Sequence, residues 1–375
     1  MFRFKTISLI TFALLGGSQL AYLPTALAET APQTESSSQI IQTAQYKQKA
    51  DLIKHTFESQ LYTLSADTAG HYGLRMFRQT LDAKYSAAVW SDMARVASTL
   101  NRIASEIQTP KQAEAYGENE LKAYNKPDKT RTFLRYQATQ KMPEYLFLGI
   151  DLLSTMARAD EYGLKHKYNK HLHNLLRQFD FKPYATDPDM IKAWSAQLAN
   201  QVYWLRQLDE QDVVNDFITA FQKVYPDAQD AQLSDQQYAN KIYGMTHVIF
   251  AASQYYQFKI DEKEFAWIYD YFDNNIDQIL KRTKNDVVAE VGISYLLAGK
   301  TQSPALAKAK ESIAQAVDMD KGMIPSIDGD FELQKGEHRN VLAIMLLDWQ
   351  GVNNAPTAES FPNVFKNLPY GLMKK

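Results

Sequence analysis

From about Tyr46 onward, two helical patterns alternate along the chain. In the first, apolar residues run almost all the way round. Examples are Glu144–Ala157 (EYLFLGIDLLSTMA), Trp194–Leu205, Tyr238–Tyr256, Val287–Ala298 and Asn340–Trp349. A helix that is apolar on every side is buried on every side. In the second pattern the apolar positions fall three or four apart, so one face meets water. Phe265, Ile268, Tyr269, Phe272, Ile276, Ile279 and Leu280 do this within Glu262–Arg282, and Leu172, Leu175, Leu176 and Phe179 do it earlier. Val214, Phe217, Ile218 and Phe221 follow the same rule, as do Leu306, Ile313 and Val317. Ser303-Pro304 and Asp187-Pro188 each combine an N-cap with proline at the first helical position, which predicts that two of the water-facing helices open there.

One central residue from each buried helix (Ser98, Phe147, Leu198, Thr246, Ile293 and Leu342) gives successive spacings of 49, 51, 48, 47 and 49. That period exceeds the roughly 34 residues of a tetratricopeptide hairpin. Gly 15 and Pro 13 amount to 28 of 375 residues. That is well below the roughly 12% of an average chain, and it argues for an all-α fold over a sandwich or barrel.

Residues 1–28 have the form of a signal peptide: Arg3 and Lys5, an apolar run from Ile7 to Leu15, and Ala26-Leu27-Ala28 before the expected cut at Glu29. The apolar run is far shorter than the roughly 20 residues of a membrane span. Residues 29–45 read as a flexible polar leader, and 46–375 as a single helical domain. Lys plus Arg total 41 against 43 Asp plus Glu. So balanced a charge argues against nucleic acid as a partner. The absence of cysteine excludes disulfides, thiol nucleophiles and iron–sulfur clusters, and it suits the bacterial periplasm, which is the expected location.

A period near 49, built from one buried and one amphipathic helix and repeated about six times, resembles an α/α toroid of the (α/α)6 type over Tyr46–Trp349. An open α-solenoid is the alternative. The resemblance implies six inner helices whose convergent ends form a cup. Six-hairpin glycosidases, polysaccharide lyases, terpene cyclases and lanthionine cyclases share this architecture. Lanthionine cyclases hold zinc through cysteines, and class II terpene cyclases need Asp-x-Asp-Asp; this chain has neither. The carbohydrate-active members are left as the nearest analogy: a hydrolase or lyase acting on a carbohydrate or other small polymeric envelope ligand, without cofactor or metal. The chain is also generically similar to exported helical proteins of Gram-negative bacteria. A non-catalytic glycan- or peptide-binding protein, or a plain helical scaffold, fits the same pattern.

Polar groups on buried helices are the candidate chemistry, because they cost free energy unless paired or used. Glu290 lies in VVAEVGISYLL with apolar neighbours on all sides; it is a candidate general acid, or else a structural partner. Gly336–Asn340 (GEHRN) precedes VLAIMLL, which puts His338, Arg339 and Asn340 at the mouth of the last inner helix. Tyr243 and His247 stand four apart on one helix face and can act as acid and base in β-elimination, with Lys241 nearby. Glu144 and Trp194 occupy comparable places on earlier helices. In a ring, helices one repeat apart are neighbours, which predicts that His247, Glu290 and His338 converge as the catalytic group. Arg339, Asn340, Tyr243, Lys241, Glu144 and Trp194 are then the substrate-binding set. His71, within Gly-His-Tyr-Gly, is expected near a turn on the rim. The acidic segment Asp318–Asp330 lacks the spacing of a calcium loop and reads as an ordered loop over the cup.

Overall fold

Helix caps written in the sequence set several element boundaries. The computed structural model of the protein describes residues 37–375; the expected signal peptide and residues 29–36 lie outside them. The first half runs α1 (Ser37–Glu58), α2 (Ala66–Thr80), α3 (Ser86–Glu106), α4 (Pro110–Leu121) and α5 (Thr130–Thr139). A π-helical segment, Leu146–Leu153, then leads directly into α6 (Ser154–Glu161). After strand β1 (Leu164–His166) come α7 (Asn169–Leu176), α8 (Lys182–Thr186), α9 (Pro188–Gln207) and α10 (Val214–Val224). The last part holds α11 (Asp235–Ala252), α12 (Ala266–Arg282), α13 (Asn285–Leu297), α14 (Pro304–Ala316), α15 (Leu333–Leu347) and β2 (Leu372–Lys374). The fold is all-α. The one small sheet pairs β2 antiparallel to β1, Leu164 opposite Lys374 and His166 opposite Leu372. From Ser37 the chain is already helical, inside the stretch expected to be a polar leader.

Asp187 accepts from the backbone N–H groups of Asp189 and Met190 to open α9, and Ser303 caps α14 through Ala305 and Leu306. Thr109 and Ser234 form capping boxes with Gln112 and Gln237 at the starts of α4 and α11. The helix opened at Asp187-Pro188 is not a water-facing one. It is α9 itself, buried along most of its length and kinked at Trp194, where φ is -130°.

Buried helices pack against one another in sequence order. α6 lies against α9, α9 against α11, α11 against α13, and α13 against α15. α15 packs on α2, and Arg78 of α2 bonds Glu161 of α6 at 2.7 Å with both side chains buried. Amphipathic helices cover this set: α3 lies on α2 and α6, α10 on α9, α12 on α11 and α13, and α14 on α13 and α15. Tyr46 and Lys49 of α1 bond Glu311 and the Ala314 carbonyl of α14. The C-terminal segment ties back to the end of α2, where Asn353 donates to the Arg78 carbonyl and Gln79 accepts from the Gln350 N–H.

The first buried helix is α2, not the one carrying Ser98. Ser98 sits on the exposed face of α3, while Tyr72, Leu74, Met76 and Phe77 of α2 are buried. Gly70 and Gly73 give the start of α2 the look of a turn, but Gly73 serves helix packing. A Cβ there would lie 2.3 Å from Ala88 Cβ of α3. In an open helix interior, Gly→Ala stabilises by roughly 0.5–1 kcal/mol. Here Gly73→Ala should instead cost about 1–3 kcal/mol through overpacking. Chemical denaturation reads the sign directly, and a stabilised variant would refute this packing role.

Candidate functional site

Glu290 is the polar centre of the packed helices. It lies on α13 between α11 and α15, 1% exposed. Thr246 of α11 donates to its Oε2 at 2.7 Å. Its Oε1 faces two imidazoles, His247 Nε2 of α11 at 3.7 Å and His338 Nε2 of α15 at 3.8 Å. Neither nitrogen has a hydrogen-bond partner, although both atoms are buried. Both separations exceed a direct hydrogen bond. The three residues, one repeat apart in sequence, are thus brought together from three neighbouring helices.

The far side of His247 is fixed. Its Nδ1 lies 3.1 Å from Asn200 Oδ1 of α9 and 3.3 Å from the Tyr255 hydroxyl. With the Asn200 carbonyl oxygen as acceptor, Nδ1 is the donor, and Nε2 faces Glu290. Tyr243 packs edge-on against the same imidazole, ring centroids 4.4 Å apart. Burial, then the charge of Glu290, pushes the Tyr243 phenol well above its usual pKa, so it stays protonated.

Tyr255 reaches this position through unusual backbone. Gln254, Tyr255 and Tyr256 have φ of 48°, 54° and 73°, three consecutive non-glycine residues in left-handed conformation just after α11. Such residues cost roughly 1–2 kcal/mol each and persist where surrounding contacts over-determine them. Here Tyr255 N–H donates to the Phe250 carbonyl at 2.7 Å, and buried Arg78 donates to the Tyr255 carbonyl at 3.2 Å. Tyr256 N–H bonds Ser253 Oγ at 3.0 Å.

A second pair adjoins the centre. His71 lies on α2, not in a rim turn, and its Nδ1 is 2.7 Å from Glu337 Oε2 of α15. Its ring centroid is 5.3 Å from that of His338. Burial, reinforced by the Arg75 guanidinium, holds His71 well below the usual histidine range. Burial, Arg75 and His71 together lower His338 to about 3. Burial raises Glu337 to about 7, against the opposing pull of Arg75. Near neutral pH the imidazoles of His71 and His338 are therefore neutral, beside a Glu337 carboxyl group that readily keeps its proton.

The remaining expected residues are placed elsewhere. Lys241 is fully buried and bonds Asp227 and Asp230, both at 2.7 Å, away from Glu290. Asn340 pins the 318–330 loop, bonding the Ile324 N–H and carbonyl and the Gly336 carbonyl. Glu144 accepts from the Tyr184 hydroxyl at 2.6 Å. Trp194 donates to Thr139 Oγ1 at 3.0 Å and lies under the Arg135 guanidinium. Arg339 is half-buried, with Nη1 unpartnered. Gly336–Asn340 forms part of α15 rather than a loop before it. His166, His171 and His173 turn to three separate partners, Asn101, the Ile107 carbonyl and Glu210. Among the described residues, no group of three or more His, Asp or Glu is arranged to hold a metal ion.

Sequence reasoning did not find Tyr255 or Arg75. Tyr255 follows the helical pattern of α11 and is redirected only by the left-handed turn. Arg75 stands one turn after His71, a spacing visible in sequence once that segment is read as helix.

The lowered pKa of His338 carries a sign for stability. The folded state keeps the imidazole neutral down to about pH 3, whereas the unfolded chain protonates it below about 6.5. This contribution is present above 6.5 and is lost as pH falls toward 3. His338→Gln removes the loss, so the melting-temperature gap between wild type and variant should shrink, or reverse, from pH 7 to pH 4. A gap that widens on acidification would contradict the assignment.

No curated protein and no solved structure matches the chain. A family model described as a domain of unknown function, DUF3541, matches residues 46–375, which spans the whole helical region around Glu290. The chain belongs to the DUF3541 family.

Proposed function

We propose that this protein is a periplasmic carbohydrate-active enzyme, a hydrolase or lyase of poly- or oligosaccharides, with its site where His247, Glu290 and His338 meet. The observation that carries the reading is the convergence of Glu290 Oε1 with two buried, unpartnered Nε2 atoms. Two buried nitrogens without partners are costly unless a ligand or water uses them. A sugar hydroxyl, glycosidic oxygen or water reaching these atoms meets a carboxyl group on one side and imidazole nitrogens on the other. A proton can then be taken or returned with little reorganisation.

Hydrolysis draws on two carboxyl groups. Glu290 supplies one, and Glu337, which burial keeps protonated up to about pH 7, supplies the other. Elimination needs a base and an acid, and His247 with Tyr255 or Tyr243 supplies them. The packing of α15 onto α2 and the Arg78–Glu161 pair between α2 and α6 support a closed α/α toroid over an open solenoid. The Ala26-Leu27-Ala28 sequence supports export.

The test is a panel of polysaccharides assayed for new reducing ends, which report hydrolysis, and for the ultraviolet absorbance of an unsaturated sugar, which reports elimination. Glu290→Gln keeps shape and an acceptor for Thr246 but removes the charge. Turnover should fall by about 10²–10⁴-fold, with little change in melting temperature. A loss of about 1–3 kcal/mol in stability with ligand handling intact would identify Glu290 as a structural partner and overturn the proposal.

A further inference from the structure

Cations that form no ion pair lie next to this centre, beside Tyr243. On α5, Arg131 and Arg135 are four residues apart and share a helix face, an arrangement that is repulsive when nothing compensates it. Arg131 is exposed and lies over the Tyr243 ring, 5.7 Å from its centroid. Arg135 lies over Trp194 at 4.1 Å and donates to the Ala193 carbonyl and Gln197 Oε1, which are both uncharged acceptors. Exposed Lys284, just before α13, completes the group. Among the described residues, no carboxylate lies in ion-pair contact with Arg131, Arg135 or Lys284.

Arg131 and Lys284 border a definite cavity of about 280 Å³. Arg131, Lys284, Tyr243, Asn240 and Asp286 line it, together with Arg282, whose charge is already engaged by Asp235 at 2.8 Å. Asp286 has one buried carboxylate oxygen without a partner. The cavity thus combines two cations outside any ion pair with two carboxylates, Asp235, which Arg282 engages, and Asp286, whose unpartnered oxygen is an acceptor suited to a hydroxyl. Through Tyr243 it adjoins His247, and through His247 it adjoins Glu290.

We propose that this cavity binds an acidic sugar unit, its oxyanion on Arg131 and Lys284 and a ring hydroxyl on Asp286, and so selects anionic glycans for the neighbouring centre. The inference rests on the carbohydrate-directed function proposed above and names the substrate class. An oxyanion between Arg131 and Lys284 would give Arg131 the counter-charge that α5 does not supply. The requirement for an acceptor as well as cations favours a hydroxyl-bearing acid over a bare inorganic anion.

Affinity electrophoresis of the full-length mature protein tests this. The probes are polygalacturonate, the same polymer with its carboxylates methyl-esterified, and a sulfated carrageenan that lacks uronate. Retardation by polygalacturonate but not by its ester, weakened by salt, is the expected result and assigns a carboxylate. Retardation by carrageenan alone, with the same residue dependence, supports the same site with sulfate as the oxyanion. Arg131→Gln and Lys284→Gln alter exposed side chains and should each weaken binding about tenfold. Lys223→Gln, which lines a different cavity, should not. Equal binding of acid and ester, no binding of either acidic polymer, or indifference to Arg131 and Lys284 would overturn the inference. Cleavage of a neutral polysaccharide that depends on Glu290 would, in that case, leave the proposed function standing. Binding of acidic polymer without cleavage of any would uphold the anion site and remove the enzymatic reading.

Discussion

A carboxylate inside a packed helical core has to be solvated by protein, and Glu290 sets that demand. Desolvating an ionised carboxylate costs several kcal/mol even after relaxation, and a single hydrogen bond from the Thr246 hydroxyl to such a charge returns only about 1.5–3 kcal/mol. The other oxygen of Glu290 has no direct donor among the described residues and faces polar groups of the surrounding buried helices. α11 brings His247 and α15 brings His338, and α9 orients His247 through Asn200. Removing any of these helices from its neighbour would expose or orphan the rest.

The same burial sets the protonation states around the site. Low polarisability disfavours charge on His71, His338 and Glu337 alike, and the fixed charge of Arg75 acts further against the two imidazoles. The outcome is a centre in which imidazoles stay available as acceptors and a neighbouring carboxyl stays available as a donor. Backbone strain serves this arrangement as well. The left-handed turn at Gln254–Tyr256 spends local stability to carry the Tyr255 hydroxyl to His247, and buried Arg78, already paired with Glu161, holds the turn in place.

Much of this was legible in sequence because burial on every side of a helix erases amphipathic periodicity. The runs around Leu198, Thr246, Ile293 and Leu342 all lie on buried helices, and their spacing brought His247, Glu290 and His338 to one point. The first repeat was misread where glycine has two physical uses. Gly73 looks like a turn residue but allows α2 and α3 to approach closely, so His71 lies within a helix and not at a turn. Lys241, Asn340 and Glu144 were legible as polar residues on or near buried helices, but a helix has more than one side. Lys241 turns toward Asp227 and Asp230, and Glu144 toward Tyr184.

The sequence by itself determined the all-α class, the alternation of buried and covering helices, and the polar residues that had to be accommodated in the core, because these follow from hydrophobic periodicity and the cost of burying charge. Only the tertiary structure decided which of those residues meet. Rotation of a helix by one residue, about 100°, separates a side chain that faces Glu290 from one that faces an outer helix, and packing against neighbours sets that rotation. Tyr255 depends on the fold still more strongly. No local preference puts three consecutive non-glycine residues into left-handed backbone, so its place beside His247 exists only through contacts from α2 and from the segment after α15.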